Sequence, residues 1–192
     1  MAVIRLGEYR RMRWRNGLGE TAEIAVSPAG AALDQFDWRI SMATIEAPGP
    51  FSSFAGIDRT LTVLSGDGFR LTLGARPAIE LTPRSAPLAF RGDSDASAEL
   101  IGGTVTDLNV MTRRDRCWHR VRRFAAGVRL PLEAAATTTA VFCVTGPIDV
   151  EAAAVVWRLG DLDTLLIDAP SGTLSARGGA AGGLLLIEIG RL

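Results

Sequence analysis

The chain has 192 residues, of which 47% are hydrophobic and 22% charged, a balance typical of a globular protein that buries a core. Its 21 basic and 21 acidic residues give a net charge of zero, so no overall charge attracts nucleic acid or anionic lipid. All of the basic residues are arginine, and the lack of lysine excludes Schiff-base chemistry, a P-loop lysine and a lysine base.

The first fourteen residues contain four arginines and no apolar segment, so they do not predict a signal peptide. No apolar run approaches the roughly 18 residues that span a bilayer. Cys117 and Cys143 have neither metal-ligand nor disulfide spacing. We therefore expect a cytoplasmic protein.

Short alternating segments separated by Gly, Pro, Ser and Asp turns run along the whole chain, and helical periodicity is nearly absent. This spacing predicts an all-β sandwich or barrel.

The first candidate loop is residues 14–21, in which Gly17 permits a positive φ or a close backbone approach. The residues that could contact a ligand from this loop are Asn16, Gly17, Glu20 and Thr21. The alternative is a simple turn before the strand 23–26, and spacing alone favours this alternative.

Two predicted strands carry polar residues at regular intervals. In residues 36–43, Arg39 and Ser41 share one face and Trp38 lies on the other. In residues 107–113, one face carries Asp107, Asn109, Met111 and Arg113. The pattern indicates a polar pocket inside a barrel, and a sheet face exposed to water is the alternative.

Between these strands, residues 49–59 contain Phe51 and Ser52 and end in Asp58 and Arg59. Neighbours on a strand point to opposite faces, so only one of these two charges can serve a site. We interpret Arg59 as structural and keep Asp58 as a candidate. Residues 60–64 and 69–73, joined by a glycine-rich turn, predict a β-hairpin.

The segment 113–124 is basic with interleaved aromatic residues, so it could contact phosphates and stack a base. The zero net charge favours a solvated linker instead. His119 is the one histidine of the chain. A single histidine cannot build the multi-histidine site of barrel oxygenases, so we expect no metal and no cofactor.

A weak internal repeat relates Val63–Gly66 to Cys143–Gly146, and two Gly-Gly pairs each precede a strand. Aligned on those pairs, Asn109 corresponds to Leu185 and Arg113 to Ile189. The second copy of the strand is nearly all aliphatic, so any site is expected in the first half of the chain.

Five segments, taken together, resemble the HutD/Ves family: residues 14–21, 36–41, 49–52, 56–61 and 107–114. The resemblance implies a bicupin, with two jelly-roll (double-stranded β-helix) barrels in one chain and few or no long helices. The first barrel would be residues 1–116, and the second, degenerate barrel 117–192, packed with it as one compact unit. One departure is Leu18, which stands where the family loop usually has its middle glycine.

The resemblance also implies a link to histidine utilisation, without an established catalytic activity and without the metal ligands of catalytic cupins. We expect the first barrel to hold a small anionic metabolite, namely urocanate, formiminoglutamate or formylglutamate. Arg39 or Arg113 would bind its carboxylate, Asn109 and Ser41 its polar groups, and Trp38 or Phe51 would form the apolar wall. The full set of expected binding residues is Asn16, Gly17, Glu20, Thr21, Trp38, Arg39, Ser41, Phe51, Ser52, Asp58, Asn109, Met111 and Arg113.

Two alternatives stay open. One is a metal-independent hydrolase or isomerase of such small acids, with Glu20 or Asp107 as general base. The other is a regulatory protein whose segment 113–124 binds a macromolecular partner. For all of these readings we expect no nucleic-acid partner, no membrane and no cofactor, and a homodimer stays open.

Overall fold

The computed structural model describes residues 1–14 and 17–192 and confirms an all-β chain: they form nineteen strands and one short 3-10 turn, Leu6–Glu8. In chain order the strands are β1 (Ala2–Ile4), β2 (Arg10–Arg13), β3 (Gly19–Ser27), β4 (Trp38–Ile45), β5 (Gly49–Pro50), β6 (Ile57–Ser65), β7 (Phe69–Leu73), β8 (Ile79–Leu81), β9 (Leu88–Arg91), β10 (Ala96–Leu100), β11 (Val105–Arg113), β12 (Cys117–Ala125), β13 (Val128–Pro131), β14 (Thr138–Thr145), β15 (Ile148–Ala152), β16 (Val155–Leu159), β17 (Thr164–Asp168), β18 (Thr173–Gly178) and β19 (Gly183–Arg191). No helix in this described part of the chain is long and apolar enough to cross a membrane.

The chain divides into two compact units. The N-terminal unit is Arg10–Arg116, and the C-terminal unit is Cys117–Leu192 together with Met1–Tyr9. We had expected residues 1–9 in the same barrel as residues 10–116. They lie with the C-terminal unit because β1 pairs with β17, and because the Tyr9 hydroxyl is hydrogen-bonded to Leu162 and Thr164.

The N-terminal unit has two antiparallel sheets, in the orders β2-β3-β4-β11-β6-β9 and β5-β10-β7-β8. Apolar residues that alternate along the strands of both sheets meet between the two sheets. They include Leu61 and Val63 of β6 and Phe69 and Leu71 of β7, all almost fully buried. Each sheet contributes one apolar face to this core, as expected for half-buried strands.

The C-terminal unit repeats this strand order. Its sheets run β1-β17-β14-β19-β12 and β13-β18-β15-β16. Adding eight to each label converts β4-β11-β6-β9 into β12-β19-β14-β17 and β5-β10-β7-β8 into β13-β18-β15-β16. Its core is aliphatic, with Val141, Leu165, Leu184 and Leu186 fully buried.

The strand register corrects the alignment of the two copies. Asn109 pairs with Leu61 in the N-terminal unit, and Leu186 pairs with Val141 at the equivalent place in the C-terminal unit. Asn109 therefore corresponds to Leu186 and not to Leu185. Because the predicted alignment was shifted by one residue, it did not show that Glu188, which is fully buried, lies on the inner face of β19.

The predicted hairpin of residues 60–64 and 69–73 is wrong. β6 and β7 belong to different sheets, and β7 pairs with β8 and β10 instead. The turn between them contains Gly66 (φ 87°) and Gly68 (φ 95°), and it carries the chain from one sheet to the other. A glycine-rich turn between two apolar strands does not by itself distinguish these two connections.

Replacing Gly68 with alanine should destabilise the fold more than replacing Gly74, another glycine of positive φ in the same unit. A Cβ at Gly68 would collide with the Leu81 carbonyl and lie 3.0 Å from Thr82 Cα, whereas a Cβ at Gly74 would meet nothing within 4 Å. Gly74→Ala should cost roughly 1–2 kcal/mol from the left-handed backbone. Urea unfolding should show a clearly larger loss of unfolding free energy for Gly68→Ala. Equal losses in the two variants would contradict the collision expected at Gly68.

Candidate functional site

The candidate site is a cavity of about 640 Å³ in the N-terminal unit. Strands β3, β4, β6 and β11 and the loop after β5 contribute to its wall. Among the described residues that line it, three are arginines, Arg13, Arg39 and Arg59, and none is acidic. The electrostatic character of the wall is therefore set by cations.

Arg39 is held by one carboxylate behind the wall. Its side chain is 5% exposed, and its Nε donates a hydrogen bond of 2.7 Å to Glu23 Oε2 on the neighbouring strand β3. One terminal nitrogen of Arg39 is buried without a hydrogen-bond partner among the described residues. Because such a donor is costly to leave unpaired, it is suited to an acceptor that enters the cavity.

Arg59 is linked to a buried acid through an amide. Its Nε donates to Asn109 Oδ1 at 2.7 Å, and Asn109 Nδ2 donates to Asp107 Oδ1 at 2.7 Å. We call this set the Arg59–Asn109–Asp107 chain. All three residues are nearly inaccessible to solvent. Within the described structure the second carboxyl oxygen of Asp107 has no partner.

Burial changes the protonation of both ends of this chain. It raises the pKa of Asp107 to about 7, against the opposing effects of the Arg59 charge and the hydrogen bonds from Asn109 and the Ala43 backbone. Burial also lowers the pKa of Arg59 to about 10, with Asp107 opposing the change and Arg39 adding to it. Arg59 is thus a cation at neutral pH, whereas the pKa of Asp107 lies in the neutral range.

Aromatic rings fix the Arg59 guanidinium from the side. Its central carbon lies 4.5 Å from the ring centre of Phe51 and 5.4 Å from that of Phe90. These distances are within the range of cation–π attraction. Since Nε is used by Asn109, the terminal nitrogens carry the remaining donors of a guanidinium whose position is already set.

The structure brings about half of the expected binding residues together. Those that line the cavity are Thr21, Arg39, Ser41, Phe51, Ser52, Asn109 and Met111. Those that do not are Gly17, Glu20, Trp38, Asp58 and Arg113. Asn16 lies outside the described residues.

The residues away from the cavity have other contacts. Asp58 accepts a hydrogen bond of 2.7 Å from Arg114, and Glu20 forms an ion pair of 2.6 Å with Arg11. Arg113 donates to the backbone carbonyls of Asp34 and Phe36. Alternation places Trp38 on the face of β4 opposite Arg39. Gly17 has φ 71° and open space around it.

Sequence reasoning missed Arg59 and Glu23. Arg59 alternates with Leu61 and Val63 of the core, and this alternation is the signal that could have placed it inside instead of Asp58. Glu23 is two residues from Thr21 on the same strand and therefore shares its face.

The basic segment 113–124 is largely engaged within each unit. In the N-terminal unit, Arg114 pairs with Asp58 and Asp93. In the C-terminal unit, Arg120 and Arg122 both contact Glu188, at 2.9 and 3.1 Å. Among the described residues no group of three or more His, Cys, Asp or Glu is placed to hold a metal ion.

Replacing Glu23 with glutamine should remove the counter-ion of a buried guanidinium and cost about 3–5 kcal/mol of unfolding free energy. The matched control is Glu20→Gln on the same strand, which breaks the exposed pair with Arg11 and should cost about 1 kcal/mol or less. Chemical denaturation of both variants measures the difference. Similar small losses would show that Glu23 does not stabilise Arg39.

Asp107 should make the fold less stable as the pH rises from about 4 to about 7. The folded-state pKa of about 7 lies above the ordinary value of about 3.9, so across this window the folded chain keeps a proton that the unfolded chain releases. The contribution is at most about 1.4 kcal/mol per pH unit.

Unfolding of the wild type and of Asp107→Asn at several pH values tests this directly, because all other titrations are common to both proteins. Stability of the variant relative to the wild type should increase from pH 4 to pH 7 and then level off. A constant difference would contradict the raised pKa.

Comparison with known proteins identifies the family of the chain. A sequence model of the HutD family matches residues 7–185. An uncharacterised 21.2 kDa protein in the hutC 3' region of Pseudomonas putida is 39% identical over 169 residues, which cover 88% of this chain and 87% of that protein. Protein Ves of Citrobacter koseri is 44% identical over 110 residues, 57% of this chain and 56% of that protein.

The solved structure of HutD from Pseudomonas fluorescens SBW25, in a formate condition, matches with a TM-score of 0.87 at 36% identity, covering 100% of this chain and 98% of that one. This similarity supports the all-β, cupin-like fold. The chain belongs to the HutD family.

Proposed function

We propose that the protein is a cytoplasmic, regulatory binding protein of histidine utilisation that holds a small carboxylate in the cavity of its N-terminal unit. The observation that carries the proposal is the pair of buried guanidiniums, Arg39 and Arg59, in a wall without an acidic residue among those described. The ligands that fit the family context are urocanate, formiminoglutamate and formylglutamate.

The size and lining of the cavity support a small polar ligand. A volume of about 640 Å³ lies within the range of small-molecule sites, about 300–1,000 Å³. Such sites combine apolar walls with a few fixed polar groups. Here the apolar part includes Phe51, Met111 and Ile45, and the polar part includes Ser41 and Asn109.

Charge-assisted hydrogen bonds would orient the carboxylate. Both arginines use Nε to contact protein groups, Glu23 and Asn109, and one terminal nitrogen of Arg39 has no partner among the described residues, so terminal N–H groups remain to bind a planar acceptor. Carboxylates match this geometry because guanidinium donors can bind both oxygens at once. Phe51 fixes Arg59 before the ligand arrives, which lowers the entropy lost on binding.

The positions of the candidate bases support binding more than catalysis. Glu20 is paired with Arg11 and lies outside the cavity wall. Asp107 lies behind Asn109 and is also absent from the wall. A general base must reach the proton that it abstracts, directly or through one water molecule.

We also propose that the two units are the two barrels of a bicupin. The support is the strand order, which is repeated with an offset of eight labels. In this reading the N-terminal unit keeps the ligand site, and the C-terminal unit fills the equivalent interior with Leu184 and Leu186.

Replacing Arg59 with leucine should weaken binding of the preferred ligand by about 10- to 100-fold, the loss expected for a hydrogen bond to a charged group. Calorimetry with urocanate, formiminoglutamate and formylglutamate measures the effect. Arg70→Leu is the matched control, because Arg70 is an exposed arginine of the same unit outside the cavity.

Because Arg59 is buried, Arg59→Lys is included as a milder variant, and unfolding of each variant is measured alongside binding. Wild-type protein that binds none of the three acids at millimolar concentration would overturn the proposal. So would a folded Arg59→Leu variant that binds as tightly as the wild type.

A further inference from the structure

The Arg59–Asn109–Asp107 chain has a fixed polarity. Arg59 Nε can only donate, so the amide oxygen of Asn109 must be turned towards it. The amide nitrogen is then turned towards Asp107 and donates to its carboxyl. A change of charge at either end is therefore felt at the other through one oriented amide, although no direct ion pair joins them.

The net charge on and behind the cavity wall depends on whether Asp107 is ionised. Glu23 offsets Arg39, with which it shares a hydrogen bond of 2.7 Å. Arg59 is offset only when Asp107 is ionised, because Asp107 is the one acid of the described residues whose charge acts on it. When Asp107 carries a proton, the cluster of these four side chains has one excess positive charge.

We propose that binding of a carboxylate in this cavity is coupled to uptake of one proton by Asp107. The inference rests on the proposed function, since it concerns the same cavity, and it adds the way in which the site responds to pH. An anion next to Arg59 supplies the negative charge that Asp107 otherwise provides. The carboxyl group can then become neutral while the cluster as a whole remains balanced.

The surroundings of Asp107 fit this role. Its oxygen Oδ2 is buried and has no hydrogen-bond partner among the described residues, so this oxygen can accept a proton without breaking a hydrogen bond. Its cross-strand neighbours are Ala43 on β4 and Val63 on β6, which do not titrate. The apolar core lies beside it, and the charged group that acts on it is Arg59.

The direction of the coupling follows from linkage. Burial raises the pKa of Asp107 to about 7 in the free protein, and a bound anion that offsets Arg59 raises it further. Affinity should be constant well below pH 7 and should fall above it, by up to about tenfold per pH unit for one coupled proton. Ligand would therefore be held more tightly when the surrounding pH drops below neutrality.

The test uses the full chain and two probes, formylglutamate and formate, whose carboxyl groups stay ionised between pH 5.5 and 8.5. Calorimetry at pH 7 in two buffers of different ionisation enthalpy gives the number of protons taken up on binding, and titrations at pH 6 and 8.5 give the change in affinity. We expect uptake of a fraction of a proton at pH 7 and weaker binding at pH 8.5.

Asp107→Asn is the decisive variant, because it keeps an acceptor for Asn109 and cannot change its charge. Its binding should show no proton uptake and no fall above pH 7. Asp58→Asn is the control, since Asp58 contacts Arg114 outside the cavity wall, and it should behave like the wild type. Uptake that persists in Asp107→Asn would overturn the assignment.

A readout without substitutions covers the case in which Asp107→Asn does not fold. Carboxyl carbon NMR of aspartate-labelled wild type should show one carboxyl that titrates near pH 7 and moves to higher pH when formylglutamate or formate saturates the site. A carboxyl that does not move would overturn this inference. Binding without proton uptake would also overturn it and leave the proposed function standing. Failure of both probes to bind at any pH would overturn this inference, and the proposed function falls with it when urocanate and formiminoglutamate do not bind either.

Discussion

The burial of the Arg59 guanidinium is the constraint on which the site depends. A cation removed from water costs several kcal/mol unless hydrogen bonds and opposite charge compensate for it. Here the compensation is distributed: Asn109 accepts from Nε, Phe51 and Phe90 flank the guanidinium, and the carboxyl of Asp107 is one amide away. Because the acid is behind the wall rather than on it, the cation remains directed at the cavity.

The C-terminal unit has the same strand order but no arginine at the place of Arg59. By strand register, the place of Arg59 is taken by Thr139 and that of Asn109 by Leu186. Leu186 joins the aliphatic core, so no buried cation needs an amide there. A buried acid is present there, Glu188, and it contacts two partly exposed arginines, Arg120 and Arg122. One strand order therefore serves both an open polar interior and a filled apolar one.

Alternation along the strands was enough to predict the all-β class and the polar inner face that includes Arg39, Ser41 and Asn109. It also carried the signal for Arg59, which shares its face of β6 with the core residues Leu61 and Val63, whereas Asp58 falls on the opposite face. The connection of β6 to β7 could not be predicted in this way. A turn sequence reports local dihedral angles, whereas the sheet that a strand joins depends on distant partners.

Two irregularities of strand register lie beside the acids behind the cavity wall. The register of β11 against β6 shifts between Thr106 and Asp107, and that of β3 against β4 shifts between Glu23 and Ala25. The extra residue lies on β6 in the first case and on β3 in the second, so only Glu23 is on a strand that bulges, and Asp107 keeps regular pairing with Ala43 of β4. A bulge depends on both strands of a pair, so one strand's sequence does not reveal it. The regular strand β11 therefore presents both the amide of the wall and the acid behind it in the order that alternation predicts, whereas the acid that holds Arg39 lies beside the bulge of β3.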